Sequence, residues 1–256
     1  MTRHAWPLLV LTFLSGCGGS PPSQSNTPPA SPTPAAPSVA PVRVLMITAT
    51  AAFRHDSIPT ARSVVSSLAS RTGTFTVTAT ETLTDVSALR LASTDVLMFA
   101  LTTGELAFDD TQKAAIVSFV DRGGGFIGVH SATDTLYQWP DYGRLVGAYF
   151  KEHPWTQTAS VVVEDRSHPA AAGVESPFRL LDEFYTFQRN PRGSVAVLLS
   201  LDPRSVNADG DFPLAWTQSF GRGRSYYNAL GHFDSTWNDP WFQRQLAAAI
   251  LWTAGR

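Results

Sequence analysis

The first half of the chain alternates short apolar runs with segments whose apolar residues recur at helical spacing. The apolar runs predict four buried strands, at residues 43–48, 75–80, 95–101 and 126–129. Two helices are predicted among them. The first begins near Asp56 and Ser57 and ends at Gly73, and Asp56 is the simplest candidate for its N-cap. The second begins at Asp109-Asp110. This strand–helix alternation indicates parallel strands that are joined by crossover helices.

The second half of the chain is less regular. Four further strands are predicted, some of them antiparallel, at residues 160–164, 195–201, 214–218 and 224–228. A final amphipathic helix covers 241–253 and presents one apolar face for packing. The pattern as a whole predicts an α/β sandwich with a largely parallel sheet.

Composition and charge narrow the function classes. Hydrophobic residues make up 43% of the 256 residues and charged residues only 16%, with a formal net charge of -2. A chain this apolar can bury a core and is not globally disordered. It also lacks the basic excess that a nucleic-acid-binding surface requires, so we expect no nucleic-acid partner.

The N-terminal segment predicts export and a lipid anchor. A basic start is followed by a mostly apolar run at 5–14 and then by Ser15-Gly16-Cys17, the pattern of a secretory signal with small residues before the cleavage site. Small residues directly before a cysteine resemble the bacterial lipobox. Cys17 is therefore the predicted lipidation site, and this anchor is the only membrane contact that we expect. The alternative is an ordinary signal peptide with a chance cysteine.

These features divide the chain into a signal peptide at 1–16, a lipidated cysteine with a Pro/Ser/Thr-rich tether at 17–41, and a folded domain at 42–256. The predicted location is the cell envelope, outside the cytoplasm. Gly18 follows the cysteine where an aspartate would favour inner-membrane retention, so the outer membrane or the periplasm is favoured. Because Cys17 is the sole cysteine, the domain has neither an internal disulfide nor a cysteine metal cluster.

Histidines follow three of the predicted strands. His55 comes after the first strand, His130 after the fourth, and His232 after the strand at 224–228, whereas His153 is predicted to lie in a loop. Ligands of open α/β sheets bind at the carboxyl ends of the strands, so the three histidines that follow strands are candidate metal ligands and candidate acid–base groups. The domain has no contiguous metal-binding motif, and a site for zinc or another divalent ion would have to be assembled by the fold. The alternative for each histidine is a structural role.

The segment at 123–132 places His130 where a nucleophile elbow would hold its reactive residue. The strand is flanked by glycines and small residues, and it ends in Gly128-Val129-His130-Ser131-Ala132. Ser131 as a nucleophile with His130 as its base is disfavoured, because adjacent side chains rarely face each other. His130 fits better as a metal ligand or as a general acid or base.

Carboxylates and aromatic residues complete the candidate site. Strand-like alternation sends Glu183, Tyr185 and Phe187 to one face, and a buried glutamate there needs an arginine, a histidine or a metal as partner. The predicted catalytic set is therefore Glu183 and Asp134 with the three histidines. The candidate substrate-binding residues are Arg54, Tyr137, Trp139, Trp155 and Tyr185. Trp139 is expected in a loop, and the alternative for all the aromatic residues is ordinary core packing.

Six segments of the domain together resemble the trehalose-utilisation (ThuA-like) domain family. They are Phe53–Pro59, Gly124–Asp134, Tyr142–Phe150, His153-Pro154, Asp182–Tyr185, and the stretch from Gly221-Arg222 to Leu230-Gly231-His232. The likeness covers nearly all of residues 43–254. It implies a class I glutamine-amidotransferase-like fold, which is a flavodoxin-like three-layer sandwich with a mostly parallel central sheet.

The same resemblance limits the chemistry. Amidotransferases of this fold carry a catalytic cysteine at the elbow, where this chain has His130, and residues 42–256 contain no cysteine. Glutamine hydrolysis by a thiolate is therefore excluded. The family is linked to bacterial sugar catabolism, including disaccharides that partner dehydrogenases oxidise to 3-keto forms. Export differs from a cytoplasmic role in trehalose catabolism, so trehalose itself is not assigned as the substrate.

The sequence thus predicts an extracytoplasmic protein that acts on a sugar or keto-glycoside through a histidine-centred, metal-assisted site. As an enzyme it would be a hydrolase, a lyase or an isomerase. The alternatives are a sugar-binding lipoprotein without catalysis and a purely structural domain. The expected partner is a small carbohydrate, the candidate cofactor is a divalent metal such as zinc, and a homo-oligomer is left open.

Overall fold

A mixed sheet of nine strands forms the centre of the computed structural model, which describes Thr12 and residues 40–256. In chain order the strands are β1 (Val42–Ile47), β2 (Phe75–Thr80), β3 (Val96–Ala100), β4 (Gly125–Val129), β5 (Phe150–Val163), β6 (Phe178–Phe187), β7 (Ala196–Leu201), β8 (Pro213–Phe220) and β9 (Gly223–Asn228). The α-helices of these residues are α1 (Ile58–Thr72), α2 (Ala88–Leu91), α3 (Asp110–Asp121), α4 (Pro140–Val146), α5 (Asp234–Asn238) and α6 (Pro240–Thr253). The tether as far as residue 39, the predicted lipidation site Cys17 and the predicted signal peptide, except Thr12, therefore lie outside the described residues.

The sheet has a parallel half and an antiparallel half. Its strand order is β2-β1-β3-β4-β9-β8-β7-β5-β6. The strands from β2 to β9 in this order pair in parallel, and the four pairings from β9 to β6 are antiparallel. The predicted α/β class is confirmed, whereas a mostly parallel, flavodoxin-like sheet is not confirmed for the molecule as a whole. The antiparallel strands come from the part of the chain where the strand–helix alternation stops.

The hydrophobic core is one cluster that spans both halves of the sheet, and two completely buried strands lie in its parallel half. Every residue of β3 and β4 is buried, as is typical of apolar strands in a sheet that is covered on both faces. Helices α4 and α6 both pack on β4 and β9. Helices α1 and α5 contact α6, and α3 contacts both α2 and α4. Among the described residues, no helix is both long and apolar enough to cross a membrane.

Local sequence signals fix the helix ends. The carboxylate of Asp109 accepts the N–H of Gln112 at 2.7 Å, and the Gln112 side chain accepts the N–H of Asp109 at 3.1 Å, so α3 begins with a capping box. The N-cap of α1 is Ser57, which corrects the assignment of the cap to Asp56. This helix ends at Gly73, whose φ of 63° lies in the left-handed region that glycine adopts without strain.

The antiparallel half folds back toward the carboxyl ends of the parallel strands. Strand β5 pairs with β7 only at residues 161–163, and its earlier part forms with β6 a two-stranded ribbon that contains register shifts. Such bulges bend and twist a ribbon. In a flat sheet β6 would lie about 19 Å from β9, four strands away. Yet Glu183 of β6 contacts His232, just after β9, so the ribbon curls over this edge of the sheet.

Candidate functional site

Three histidines meet at the carboxyl edge of the parallel half. His55 follows β1, His130 follows β4, and His232 follows β9, and all three are buried or nearly so. The ring centres of His55 and His130 lie 4.8 Å apart, those of His55 and His232 lie 5.2 Å apart, and those of His130 and His232 lie 5.3 Å apart. The structure thus brings together the three histidines that the strand pattern singles out.

A strained turn orients His130. Its φ is 53°, which a residue other than glycine rarely adopts and which marks the sharp turn from β4 into a short 3₁₀ helix. A Cβ atom on Gly128, two residues earlier, would lie within 3.2 Å of three neighbouring side chains, so any larger residue would push these neighbours outward. The Nδ1 of His130 lies 2.7 Å from the carbonyl oxygen of Ala229. A carbonyl only accepts, so Nδ1 carries the proton and Nε2 is left with a free lone pair.

Glu183 joins the histidines from the curled ribbon. Its Oε2 lies 3.2 Å from Nδ1 of His232 and 3.6 Å from Nε2 of His130, and its Oε1 lies 3.2 Å from Nδ1 of His153. Burial acts to raise the pKa of this carboxyl, but the neighbouring imidazoles of His130 and His232 outweigh burial and hold the pKa well below its usual range. The hydrogen bond to Glu183 in turn raises the pKa of His232. Glu183 is therefore ionised at neutral pH.

Asp182, the neighbour of Glu183, fixes the loop that carries His232. Its buried carboxylate accepts the backbone N–H groups of Gly231 at 2.8 Å and His232 at 3.0 Å, and the hydroxyl of Thr236 at 2.9 Å. It also accepts the N–H of Glu183 at 2.8 Å. One side chain therefore holds the backbone of two members of the cluster in place.

The cluster fits a divalent metal ion. One donor atom each from His55, His130, Glu183 and His232 lies within 4.8 Å of all the others. Zinc with bonds of about 2.0–2.1 Å in tetrahedral geometry holds its ligand atoms roughly 3.3 Å apart. The His130–His232, His232–Glu183 and His130–Glu183 donor distances are 3.4, 3.2 and 3.6 Å. Imidazole and carboxylate are also the donors that zinc and similar ions take in proteins.

His55 supports the same interpretation. Its Nδ1 is buried and has no hydrogen-bond partner in the structure, and burial together with the neighbouring histidines lowers its pKa to about 3. The ring is therefore neutral at physiological pH, which is the form that binds a metal. A buried nitrogen without a partner costs free energy unless a ligand or a metal ion satisfies it.

Two cavities open beside the cluster and share Phe53, His55 and His232 in their walls. The first, which we call the inner cavity, has a volume of about 240 Å³ and is also lined by Asp134, Phe150, His153, Glu183 and Tyr185. The second, which we call the outer cavity, has a volume of about 400 Å³ and is also lined by Asp56, Ser57, Leu181, Phe233, Asp234 and Ser235. Both give a ligand access to the histidines.

Three of the other predicted residues lie on or directly behind the inner cavity. The hydroxyl of Tyr185 is 3.0 Å from Nε2 of His130, and burial raises the pKa of this phenol well above its usual value. Asp134 faces the inner cavity and accepts a hydrogen bond of 2.6 Å from Tyr137, and burial raises the pKa of this carboxyl. Tyr137 therefore supports Asp134 from behind and lines neither cavity.

The remaining three predicted contacts lie elsewhere. Arg54 is exposed and pairs with Glu81 at 2.8 Å. Trp139, which was expected in a loop, is buried in the core and stacks on Tyr142. Trp155 packs edge-on against Phe212. None of the three lines the inner or the outer cavity.

His153 is the site residue that sequence reasoning placed incorrectly. It was assigned to a loop and not to the site, whereas it lies in β5 and its ring is stacked on Phe150 beside Glu183. Its side chain is about half exposed, so it connects the buried carboxylate with solvent. The local pattern holds no signal for this placement, because the early part of β5 is mostly polar and exposed.

Comparisons with known proteins agree with this fold. The family model described as ThuA, trehalose utilisation, matches residues 43–253, and the chain belongs to this family. A ThuA-like protein from Bacteroides uniformis ATCC 8492 is 24% identical, with a TM-score of 0.71 over 86% of this chain and 95% of that one. A ThuA-like protein from Parabacteroides merdae ATCC 43184 is 20% identical, with a TM-score of 0.68 over 84% and 90%.

More distant structures share only the fold. The β-galactosidase from Rahnella sp. R3 is 15% identical, with a TM-score of 0.55 over 82% of this chain and 31% of its own. No curated protein matches the sequence. The comparisons therefore establish the family and the architecture.

Proposed function

We propose that the protein is an enzyme of carbohydrate metabolism that works through a divalent metal ion, with zinc as the best fit, held by His55, His130, His232 and Glu183. The spacing of the donor groups carries this proposal, because the donors of His130, His232 and Glu183 lie 3.2–3.6 Å from one another, which suits one shared ion, and a donor of His55 lies within 4.8 Å of each. When bound, such an ion polarises a carbonyl or hydroxyl oxygen of the substrate or activates a water molecule.

The residues around the cluster supply proton transfer. Tyr185 stays protonated at neutral pH and points its hydroxyl at the cluster, so it can donate a proton to an oxygen that develops negative charge. Asp134 lies in the same cavity with a raised pKa, which suits a carboxyl that takes up and releases a proton. His153 bonds to the second oxygen of Glu183 and reaches solvent, so it can return protons to the bulk.

A sugar or keto-glycoside is the substrate class that we infer. The description of the family names trehalose utilisation, and the inner cavity combines the aromatic surfaces of Phe53, Phe150 and Tyr185 with carboxylates. Aromatic faces pack on the apolar faces of sugar rings, and carboxylates accept hydrogen bonds from hydroxyl groups. The reaction would be proton abstraction beside a carbonyl or cleavage of a glycosidic bond.

We also propose that the protein is a lipoprotein of the cell envelope, anchored through Cys17 outside the cytoplasm. The basic start, the apolar run and the small residues before Cys17 support this location. Metabolic labelling with a radioactive fatty acid tests it. Wild type should take up the label and Cys17→Ala should not, whereas equal labelling of both would contradict the proposal.

Metal analysis of the purified full chain tests the site. We expect close to one zinc ion per chain in the wild type and in His168→Ala, since His168 lies outside the cluster. We expect loss of the metal in His130→Ala. Activity on keto-glycosides should then depend on the bound metal. Wild-type protein that cannot be loaded with any divalent ion would overturn the metal site, and sugar binding without turnover would instead identify a binding protein.

A further inference from the structure

The outer cavity is lined by a buried serine, Ser57, whose hydroxyl has no partner in the protein. The Oγ of Ser57 belongs to a residue that is only 3% exposed and makes no hydrogen bond, although Ser57 is the N-cap of α1. Cap serines normally bond to the helix backbone. A hydroxyl that is left free beside a cavity indicates a ligand that completes its hydrogen bonding.

The rim of the outer cavity exposes apolar surface to solvent. The described residues include three exposed large hydrophobic side chains, and two of them, Phe53 at 63% and Leu181 at 47%, line this cavity. The third, Leu89, is 86% exposed and lies on α2, elsewhere in the fold. An exposed aromatic ring and an aliphatic side chain at one cavity provide a contact surface for the apolar face of a ligand.

The charges that line the outer cavity identify the kind of group it takes. Asp56 and Asp234 contribute carboxylates and Ser57 and Ser235 contribute hydroxyls, and no lysine or arginine is present among the lining residues. The carboxylates would repel a phosphate or a carboxylate group. The N-terminus of α1, at Ile58, disfavours a cation. Hydroxyl groups, which donate to carboxylates and both donate to and accept from serines, suit this lining.

The size of the two cavities indicates how the substrate is divided. Ligand sites usually measure about 300–1,000 Å³. The volume of the inner cavity, about 240 Å³, lies below this range. The outer cavity, with a volume of about 400 Å³, adjoins it at the residues that both cavities share. A substrate that reaches the metal-binding cluster and fills a site of ordinary size must therefore extend into both.

We infer that the outer cavity binds the uncharged, hydroxylated second half of a glycoside whose first half occupies the inner cavity. The bond between the two halves then lies beside His55 and His232, at the boundary where the two cavities adjoin. The inference rests on the proposed carbohydrate function. It adds that recognition depends on both halves of the substrate and assigns Ser57 and Leu181 to the second half.

Binding of two-ring and one-ring sugars to the zinc-loaded full chain tests this division. The probes are cellobiose, maltose and trehalose, with glucose as the one-ring control, titrated into the wild type, Ser57→Ala and Leu181→Ala by calorimetry. We expect at least one disaccharide to bind about tenfold more tightly than glucose. Each of the two variants should weaken that disaccharide about fivefold and change glucose binding less than twofold.

Two controls separate binding from stability. Leu89→Ala removes a leucine that is even more exposed and lies away from the cavity, and this variant should bind every probe as the wild type does. Ser57→Ala should not lower the melting temperature, because the hydroxyl makes no bond in the free protein. A purely structural serine would not combine unchanged stability with weaker binding of the disaccharide alone.

The outcomes distinguish this inference from the function on which it rests. If sugars bind but the two variants leave the disaccharide unaffected, or weaken glucose equally, the division between the cavities is wrong and the carbohydrate function stands. If neither glucose nor any disaccharide binds to the zinc-loaded protein, both fail together. The metal analysis of His130→Ala is independent of either result.

Discussion

The hydroxyl of Tyr227 donates a hydrogen bond of 2.7 Å to the backbone carbonyl oxygen of His130, and Thr133 in turn bonds to the same hydroxyl at 2.8 Å. Tyr227 lies in β9 and His130 follows β4, so this contact ties together the ends of two neighbouring parallel strands. The carbonyl belongs to the residue with the positive φ. The tyrosine therefore stabilises the strained turn that presents the imidazole to the cluster.

Replacement of Tyr227 by phenylalanine should loosen this turn. We expect Tyr227→Phe to lose about 1–2 kcal/mol of unfolding free energy, because Thr133 and the His130 carbonyl lose a buried partner. We also expect zinc affinity to fall about tenfold, as it does when groups that orient metal ligands are removed. Urea unfolding and competition with a chelating dye measure the two effects.

Tyr226→Phe is the matched control, since Tyr226 is the adjacent residue of β9, is equally buried, and bonds to Asn228 instead. It should lose a comparable amount of stability and keep its zinc affinity. Equal losses of metal affinity in both variants would show that the effect is general destabilisation.

Replacement of Asp182 should disturb the cluster through the backbone. In Asp182→Asn one acceptor oxygen becomes an N–H₂ group that faces backbone N–H groups, so hydrogen bonds to Gly231, His232 or Thr236 are lost. We expect a loss of about 3 kcal/mol in unfolding free energy and weaker zinc binding by about 10–100-fold. The exposed Asp209→Asn is the control and should change neither quantity. Unaltered zinc affinity in Asp182→Asn would refute the positioning role.

The main features of the site could be predicted from the sequence because they follow from local rules. Apolar runs locate β1, β4 and β9, and the carboxyl ends of parallel strands lie at one edge of a sheet, which brings His55, His130 and His232 together. The alternation around Glu183 likewise places it on the same face as Tyr185, and both line the inner cavity.

The rest depends on long-range geometry that local patterns do not contain. The curl of the β5–β6 ribbon brings β6 to the histidines from four strands away, and the strand pattern predicted only the end of β5. His153 was therefore expected in a loop. Trp139 was expected to contact substrate because it was predicted to lie in a loop, whereas its side chain, at the N-cap of α4, packs into the core. Burial of a single aromatic residue is decided by the helix it packs against.

The ion pairs of Arg192 should make stability depend on pH. Its guanidinium bonds to Glu164 at 2.7 Å and to Asp211 at 2.6 Å, and these bonds lower the pKa of both carboxyls. A carboxyl with a lowered pKa in the folded state contributes stability above its unfolded pKa and loses it as the pH falls through the folded pKa. We expect Arg192→Gln to be less stable than the wild type by about 1 kcal/mol at pH 7.

The difference between wild type and Arg192→Gln should begin to shrink as the pH falls below about 4 and should be clearly smaller at about pH 2, and urea unfolding at pH 7 and at about pH 2 measures it. Arg189→Gln, which removes a nearby exposed arginine without an ion pair among the described residues, should show no such pH dependence. A difference that is the same at both pH values would mean that Arg192 acts through packing and not through its charge.

His153 should separate proton transfer from metal binding. Its Nδ1 lies 3.2 Å from Oε1 of Glu183, the carboxylate oxygen that faces away from the proposed metal ligands, and its ring is half exposed. We expect His153→Gln to keep a full complement of zinc and to lower kcat on keto-glycosides about 100-fold, with KM nearly unchanged. His168→Gln, outside both cavities, should retain wild-type kcat. Loss of zinc from His153→Gln would make His153 a metal ligand, and unchanged kcat would remove it from the proton path.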